Sequence, residues 1–173
     1  MVNRIKCLLK NKEGFTAIYI ILIMSVLLPI MLFVFIDLPH LMTMDRRADN
    51  VIENASATAI TYINKSKASN GVLYINEEEA KKKAMQIIAQ TYNLNDDLSL
   101  NEHSTLSAPP KIDIEVINNP SVKDSVTTPN GTFAIKNPSV VIYGEIPING
   151  LIWKYAKLTA KHTGISQVQF RTN

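Results

Sequence analysis

The sequence predicts an α+β fold: a long N-terminal hydrophobic helix continues into an amphipathic helix, which packs with a second helix on a small antiparallel sheet. Three observations carry this expectation. Residues 15–36 form an apolar run without a charge, residues 38–68 place small and apolar side chains at helical spacing, and the C-terminal third alternates with period two. The 173 residues divide accordingly into a basic leader (1–14), a transmembrane helix (15–37), an amphipathic stalk helix (38–68) and a small extracytoplasmic α+β head (69–173).

Charge narrows the function classes. The formal net charge is +3, and Arg4, Lys6, Lys10 and Lys12 against Glu13 place that whole excess in the leader. A basic balance confined to a leader does not point to a polyanion, so no nucleic-acid partner is expected. Cys7 is the only cysteine and precedes the apolar run. The head therefore closes no internal disulfide and must hold together by packing.

Within residues 15–36 the only ionisable side chain is the weakly acidic Tyr19. At about 1.5 Å per residue, a helix of that length covers the roughly 30 Å hydrocarbon core of a bilayer, so membrane lipid is the first expected partner. A removable secretory signal has a shorter apolar region of about 7–15 residues and a small-x-small cleavage site. The sequence "DLPHLMTMDRRADN" that follows here offers no such site. Four Lys/Arg in the leader against Arg46 and Arg47 beyond the span predict a single-pass protein of the cell membrane, N-terminus cytoplasmic and C-terminal domain extracytoplasmic. Pro29 removes a backbone donor in mid-span and predicts a kink or short break there. Ser25, four residues earlier, or a neighbouring helix is expected to relieve the freed carbonyl. Pro39 suits a first helical turn, so a new helix is expected from Leu38 or Pro39.

A Lys-rich leader ending in Gly14, followed by Phe15-Thr16 and an unbroken apolar helix, resembles the leader of type IV pilins and pseudopilins. In those proteins a membrane-embedded prepilin peptidase cleaves after the glycine. The resemblance implies a processing site at Gly14 and Phe15, with Phe15 as the mature N-terminus. Major pilins carry a glutamate at the fifth mature position, where this chain has Tyr19, so the resemblance is to a minor pseudopilin or initiating subunit rather than the repeated one.

From residue 38 to 68, Leu41, Ala48, Val51/Ile52, Ala55, Ala59 and Tyr62/Ile63 fall near one helical face, with Arg47, Asp49, Glu53 and Asn54 off it. The small residues allow close backbone approach to a sheet or to another helix. A hydrophobic anchor followed by the alanine-rich "DRRADNVIENASATAITYI" looks like the TadE-like proteins of tight-adherence pilus systems. That resemblance implies a minor component of a surface pilus or secretion filament, with pilin or pseudopilin subunits and prepilin peptidase as partners. Helix packing would involve Tyr19, Ser25, Pro29, Ala48, Ala55 and Ala59. The alternative is an uncleaved single-pass anchor presenting an extracytoplasmic binding or adhesion module.

In the head, Asn70-Gly71 predicts a turn and "VLYI" a short strand. "NEEEAKKKAMQIIAQTYN" predicts a helix: Asn76 caps with Glu79 three residues on, Glu77, Glu78 and Glu79 each precede a lysine by four, and Ala80, Ala84, Ile87, Ile88 and Tyr92 form the buried face. Residues 93–110 read as a loop. Asp96, Asp97 and Glu102 there lack the glycine and ligand spacing of a calcium loop. "KIDIEVI", "TFAIK", "SVVIYGEIPI" and "LIWKYAKLTAKH" read as strands, with "NNPSVKDSVTTPNG" a loop and Asn149-Gly150 a tight hairpin turn. Pro147 predicts an edge position or an early strand end. Trp153 and Tyr155 share one side of their strand and are expected in the core, the alternative being an exposed aromatic contact, whereas His162 is expected at the surface.

His40, His103 and His162 are far apart in sequence, without a second ligand at metal spacing. Neither a phosphate loop, a nucleophile elbow nor a CxxC pair is present. The sequence therefore predicts neither an enzyme nor a cofactor or metal site.

Overall fold

A computed structural model of the chain describes residues 12–69, 72–128, 131–152 and 157–169. Helix α1 (Lys12–Leu32) runs through a π-helical turn (Phe33–Asp37) into α2 (Leu38–Ala59), so one unbroken helical rod carries the molecule. After a short α3 (Lys65–Ala68) and helix α4 (Glu77–Tyr92), strands β1 (Lys111–Ile117), β4 (Ser139–Asn149) and β5 (Lys157–Gln167) form an antiparallel sheet in the order β1-β4-β5. Strands β2 (Ser125–Thr128) and β3 (Gly131–Ala134) form a separate two-stranded ribbon. The α+β architecture is that predicted from the sequence.

The helical irregularity falls at Phe33–Asp37, not at Pro29, which lies inside α1. The cause is the second proline. Pro39 has no N–H for the carbonyl of Phe35, and its ring crowds that turn, so the turn widens and the Leu38 N–H reaches back five residues to the Phe33 carbonyl. Ser25 donates its hydroxyl to the Leu22 carbonyl at 2.7 Å, rather than serving the carbonyl that Pro29 frees.

Helix α2 stops at Ala59, short of the expected residue 68. Thr58, Ile60, Thr61 and Ile63 are β-branched and favour extended backbone. Beyond them the chain pairs with the segment ahead of α4 instead: Asn64 N–H donates to the Tyr74 carbonyl at 2.7 Å and Asn76 N–H to the Tyr62 carbonyl at 2.8 Å, around an Ile63↔Ile75 bridge. The "VLYI" segment does not extend into a strand, because the Asn118 side chain takes both backbone groups of Ile75. Its oxygen accepts from the N–H at 2.6 Å and its amide donates to the carbonyl at 3.1 Å. The expected Asn70-Gly71 turn lies outside the described residues.

Helix α4 begins after Asn76, which adopts the extended cap conformation but makes no side-chain capping bond. Of its acid–base series, Glu77 and Lys81 close to 2.6 Å, while Lys83 turns to Gln86. Asn93 ends the helix in the left-handed conformation at φ 51°. Arg47 of α2 donates to the Thr91 carbonyl at 3.0 Å and lies over the Tyr92 ring, so a cation meets the negative end of α4.

Helices α2 and α4 cover one face of the sheet. Leu41, Ala48, Val51, Ile52, Ala55 and Ala59 of α2 meet Ala80, Ala84, Ile88 and Tyr92 of α4 and Val140, Ile142, Ile146 and Ala160 of the sheet in one core. The fit is close because the sheet offers glycines under the helix: a Cβ on Gly164 would lie 2.7 Å from the Ile52 carbonyl oxygen, and one on Gly144 2.6 Å from Ile52 Cδ1. On the other face, Val126 and Ile135 pack with Ile117 and Val141, which orders a ribbon where a loop and a lone strand were expected.

Strand β4 is central despite Pro147. Its pairing with β1 ends at Lys111↔Glu145, so at Pro147 only β5 is alongside and no donor is missed on the open side. The β4–β5 pairing closes at Asn149↔Lys157, so Asn149-Gly150 is not a two-residue hairpin turn, and Trp153 and Tyr155 lie outside the described residues.

Candidate membrane and assembly surface

The rod presents two different surfaces. Along α1, Phe15, Tyr19, Ile21, Leu22, Leu28 and Met31 are all more than half exposed, and the apolar stretch near the N-terminus is long enough to cross a bilayer with none of it buried. Along α2, the apolar face is already filled by the head. Ala48, Ala55 and Ala59 are fully buried in the chain's own core, so these three positions pack internally rather than against a helix of another subunit.

Gly14 lies within α1, and Phe15 beside it stacks obliquely on Tyr19, with ring centroids 6.2 Å apart. Tyr19 and Ser25 are exposed, and Pro29 is half-buried. Phe15, Tyr19, Ser25 and Pro29 thus remain on the part of the rod that the head does not cover.

Where the two surfaces meet, Asp37 is fully buried, and one of its carboxylate oxygens accepts from the Ile152 N–H at 2.8 Å. This bond joins the end of the apolar run to the connection between β4 and β5. About two to three turns further on, His162 of β5 stands between two α2 carboxylates, with Nε2 2.9 Å from Asp45 and Nδ1 3.1 Å from Asp49. Its side chain is only 15% exposed, so His162 is not the surface residue expected from sequence. Each carboxylate meets a different ring nitrogen, leaving no common point for an ion, and no group of three metal-ligating side chains exists among the described residues.

Above that clamp, Ser56 meets Ser166 at 3.0 Å between α2 and β5. Sequence reasoning missed Asp37, Asp45, Asp49 and Ile152 as a connected set. The available signal was the i,i+4 spacing of Asp45 and Asp49, which puts two acids on one helical face.

The outer sheet face carries charge rather than a reaction centre. Lys111, Glu145 and Lys161 form a row across β1, β4 and β5, with Lys161 at 2.7 Å from Glu145 and Lys111 at 3.9 Å. The Lys161 hydrogen bond, aided by Tyr143 and Lys111, holds the Glu145 carboxyl below its ordinary pKa, and Glu145 in turn raises Lys161. Nearby, a cleft of about 320 Å³ lined by Asp113, Glu115, Lys123, Val126 and Thr163 opens between sheet and ribbon. Lys123 and Glu115 pair across it at 2.6 Å. In the core, burial raises the Tyr92 hydroxyl pKa, and that hydroxyl has no hydrogen-bond partner among the described residues. Ser99 hydrogen bonds lower Asp97, which caps a surface turn. None of these places a nucleophile, a base and an electrophilic pocket together.

Comparisons with protein-family models, with curated proteins and with solved structures found no match for this chain.

Proposed function

We propose that this chain is a membrane-anchored, TadE-like minor pseudopilin of a surface pilus or secretion filament, acting by helix packing and subunit docking. One observation carries the reading: an apolar helix exposed on all sides is continuous with a helix whose own apolar face the head already fills. A helix that is hydrophobic all round needs lipid or other apolar helices about it, and α1 has neither within the chain. The basic leader, Gly14 and Phe15 add the resemblance to prepilin processing, and Tyr19 in the fifth mature position favours a minor subunit over the repeated one. In this reading the leader stays cytoplasmic until cleaved, α1 passes from bilayer to filament core, and the head projects outside the membrane to set which subunit docks beside it.

The test is the mass of the N-terminal peptide from membrane-extracted protein made with and without an active prepilin peptidase. A peptide beginning at Phe15 only when the peptidase is active supports pilin-type processing. A peptide beginning at Met1 under both conditions overturns it and leaves an uncleaved single-pass anchor presenting the head.

A further inference from the structure

We infer that Leu151 and Ile152, just past the end of β4, form a second membrane contact by entering the headgroup region of the bilayer that α1 crosses. The inference rests on the anchoring proposed above and goes beyond it, because a single helix leaves the head free to tilt and swivel, whereas a second contact fixes its pose.

Two observations converge on Leu151 and Ile152. The first is their height along the rod. Gly164 of β5 lies against Ile52, and from there the strand down to residue 157 and the helix down to residue 38 each cover about 20 Å, at about 3.3 and 1.5 Å per residue. The lower end of the sheet is therefore level with the end of the apolar run. The Asp37–Ile152 hydrogen bond confirms the level directly, and Leu151 shares a small cleft with His40 and Met44 in the first turns of α2.

The second is exposure. Leu151 is 57% and Ile152 46% exposed, beside a span that ends at Ile36, and on the rod at the same height Leu38 and Met42 are 43% and 53% exposed. Large apolar side chains grouped at one level, next to a membrane-entering helix, match the boundary between headgroups and acyl chains. Most of the head's other apolar residues are spent on its core, with Val72, Leu100, Val122, Phe133 and Leu158 exposed outside it.

The experiment uses the full chain with Cys7→Ser, carrying either Leu151→Cys or Val122→Cys, labelled with an NBD fluorophore and reconstituted in phosphatidylcholine–phosphatidylglycerol vesicles. Val122 is 83% exposed in the β1–β2 connection, at the end of the sheet away from Asp37, and serves as the aqueous reference. Flotation with the vesicles reports the α1 anchor independently of the label. The expected result is flotation of both proteins, with lipids doxyl-labelled near the headgroup quenching position 151 about twofold or more over position 122, as suits a group about 5–10 Å inside the boundary. Floating protein in which position 151 is quenched no more than position 122 overturns the loop contact alone. An apolar emission at 151 that lipid quenchers do not reach also overturns it, by showing a protein environment. Failure to float overturns the anchoring, and this inference with it.

Discussion

The buried carboxylate of Asp37 accepts a hydrogen bond at 2.8 Å from the backbone N–H of Ile152, a residue 115 positions later in the chain. Asp37 closes the uncharged run in sequence, and Ile152 lies just past the end of β4, so one bond joins the rod where it leaves its apolar stretch to the base of the sheet. Losing one partner of a buried or part-buried hydrogen bond costs about 1–3 kcal/mol. Asp37→Ala is expected to lower head stability by about that amount and to speed amide exchange at Ile152. Asp37→Asn, which keeps an oxygen acceptor, should lose less. Native-state hydrogen exchange in detergent micelles checks both, and unchanged exchange at Ile152 in the alanine variant would refute the coupling.

Gly164 and Gly144 set how closely α2 approaches the sheet, and they should differ in tolerance. At Gly164 an added methyl meets the Ile52 carbonyl, which belongs to a helix backbone fixed by the core, whereas at Gly144 it meets the end of the flexible Ile52 side chain. Overpacking of this kind costs about 1–3 kcal/mol. Gly164→Ala is expected at the upper end and Gly144→Ala at the lower, as read from denaturant midpoints at unchanged m-value.

Asn118 does the work of a missing strand by satisfying both backbone groups of the buried Ile75. Asn118→Ala would strand a donor and an acceptor at about 1–3 kcal/mol each. Asn118→Asp would also destabilise, since it replaces the amide donor with an oxygen that faces the Ile75 carbonyl. A thermal unfolding series over the two variants checks the order, and an aspartate variant as stable as the parent would sink the two-sided account.

Glu145 lies between Lys111 and Lys161, and its folded pKa is depressed chiefly by the Lys161 hydrogen bond. A depressed carboxyl binds fewer protons folded than unfolded, so its contribution is complete above the ordinary glutamate pKa and is lost as pH falls through the lowered one. The raised Lys161 behaves in the opposite sense: its contribution holds below the ordinary lysine pKa and is lost as pH rises through the raised value. The stability difference between the parent and Glu145→Gln should therefore be level near neutrality and shrink in acid. Because the row is solvated, it should also shrink with added salt. Parallel urea titrations across pH and salt provide the measurement.

Local pattern made much of this fold legible. Helix α4 follows from Asn76, the acidic first turn and the spaced alanines, and β1 from strict alternation of Ile112, Ile114 and Val116 with acids. Less legible were elements whose form depends on distant partners. Ribbon strand β2 is four residues long and is ordered by Val126 packing on Ile117 and Val141, which its own sequence does not announce. The end of α2 depends on residues 62–64 finding residues 74–76, and the π-helical turn on which of two prolines the rod accommodates at cost. Pro147 looked like an edge signal because sequence does not say that β1 stops alongside Glu145.

By itself the sequence determined the uncharged span over residues 15–36, the basic leader before it, the small-residue face of α2 and the α+β class, because each rests on period, composition or charge within one segment. Only the tertiary structure decided that Ala48, Ala55 and Ala59 are consumed by the chain's own head, that His162 is held between Asp45 and Asp49, and that Asp37 binds Ile152. The physical reason is range. Hydrophobic periodicity is written into neighbouring residues, whereas the partner of a buried polar group is chosen by whichever distant backbone the packed core brings within hydrogen-bonding reach.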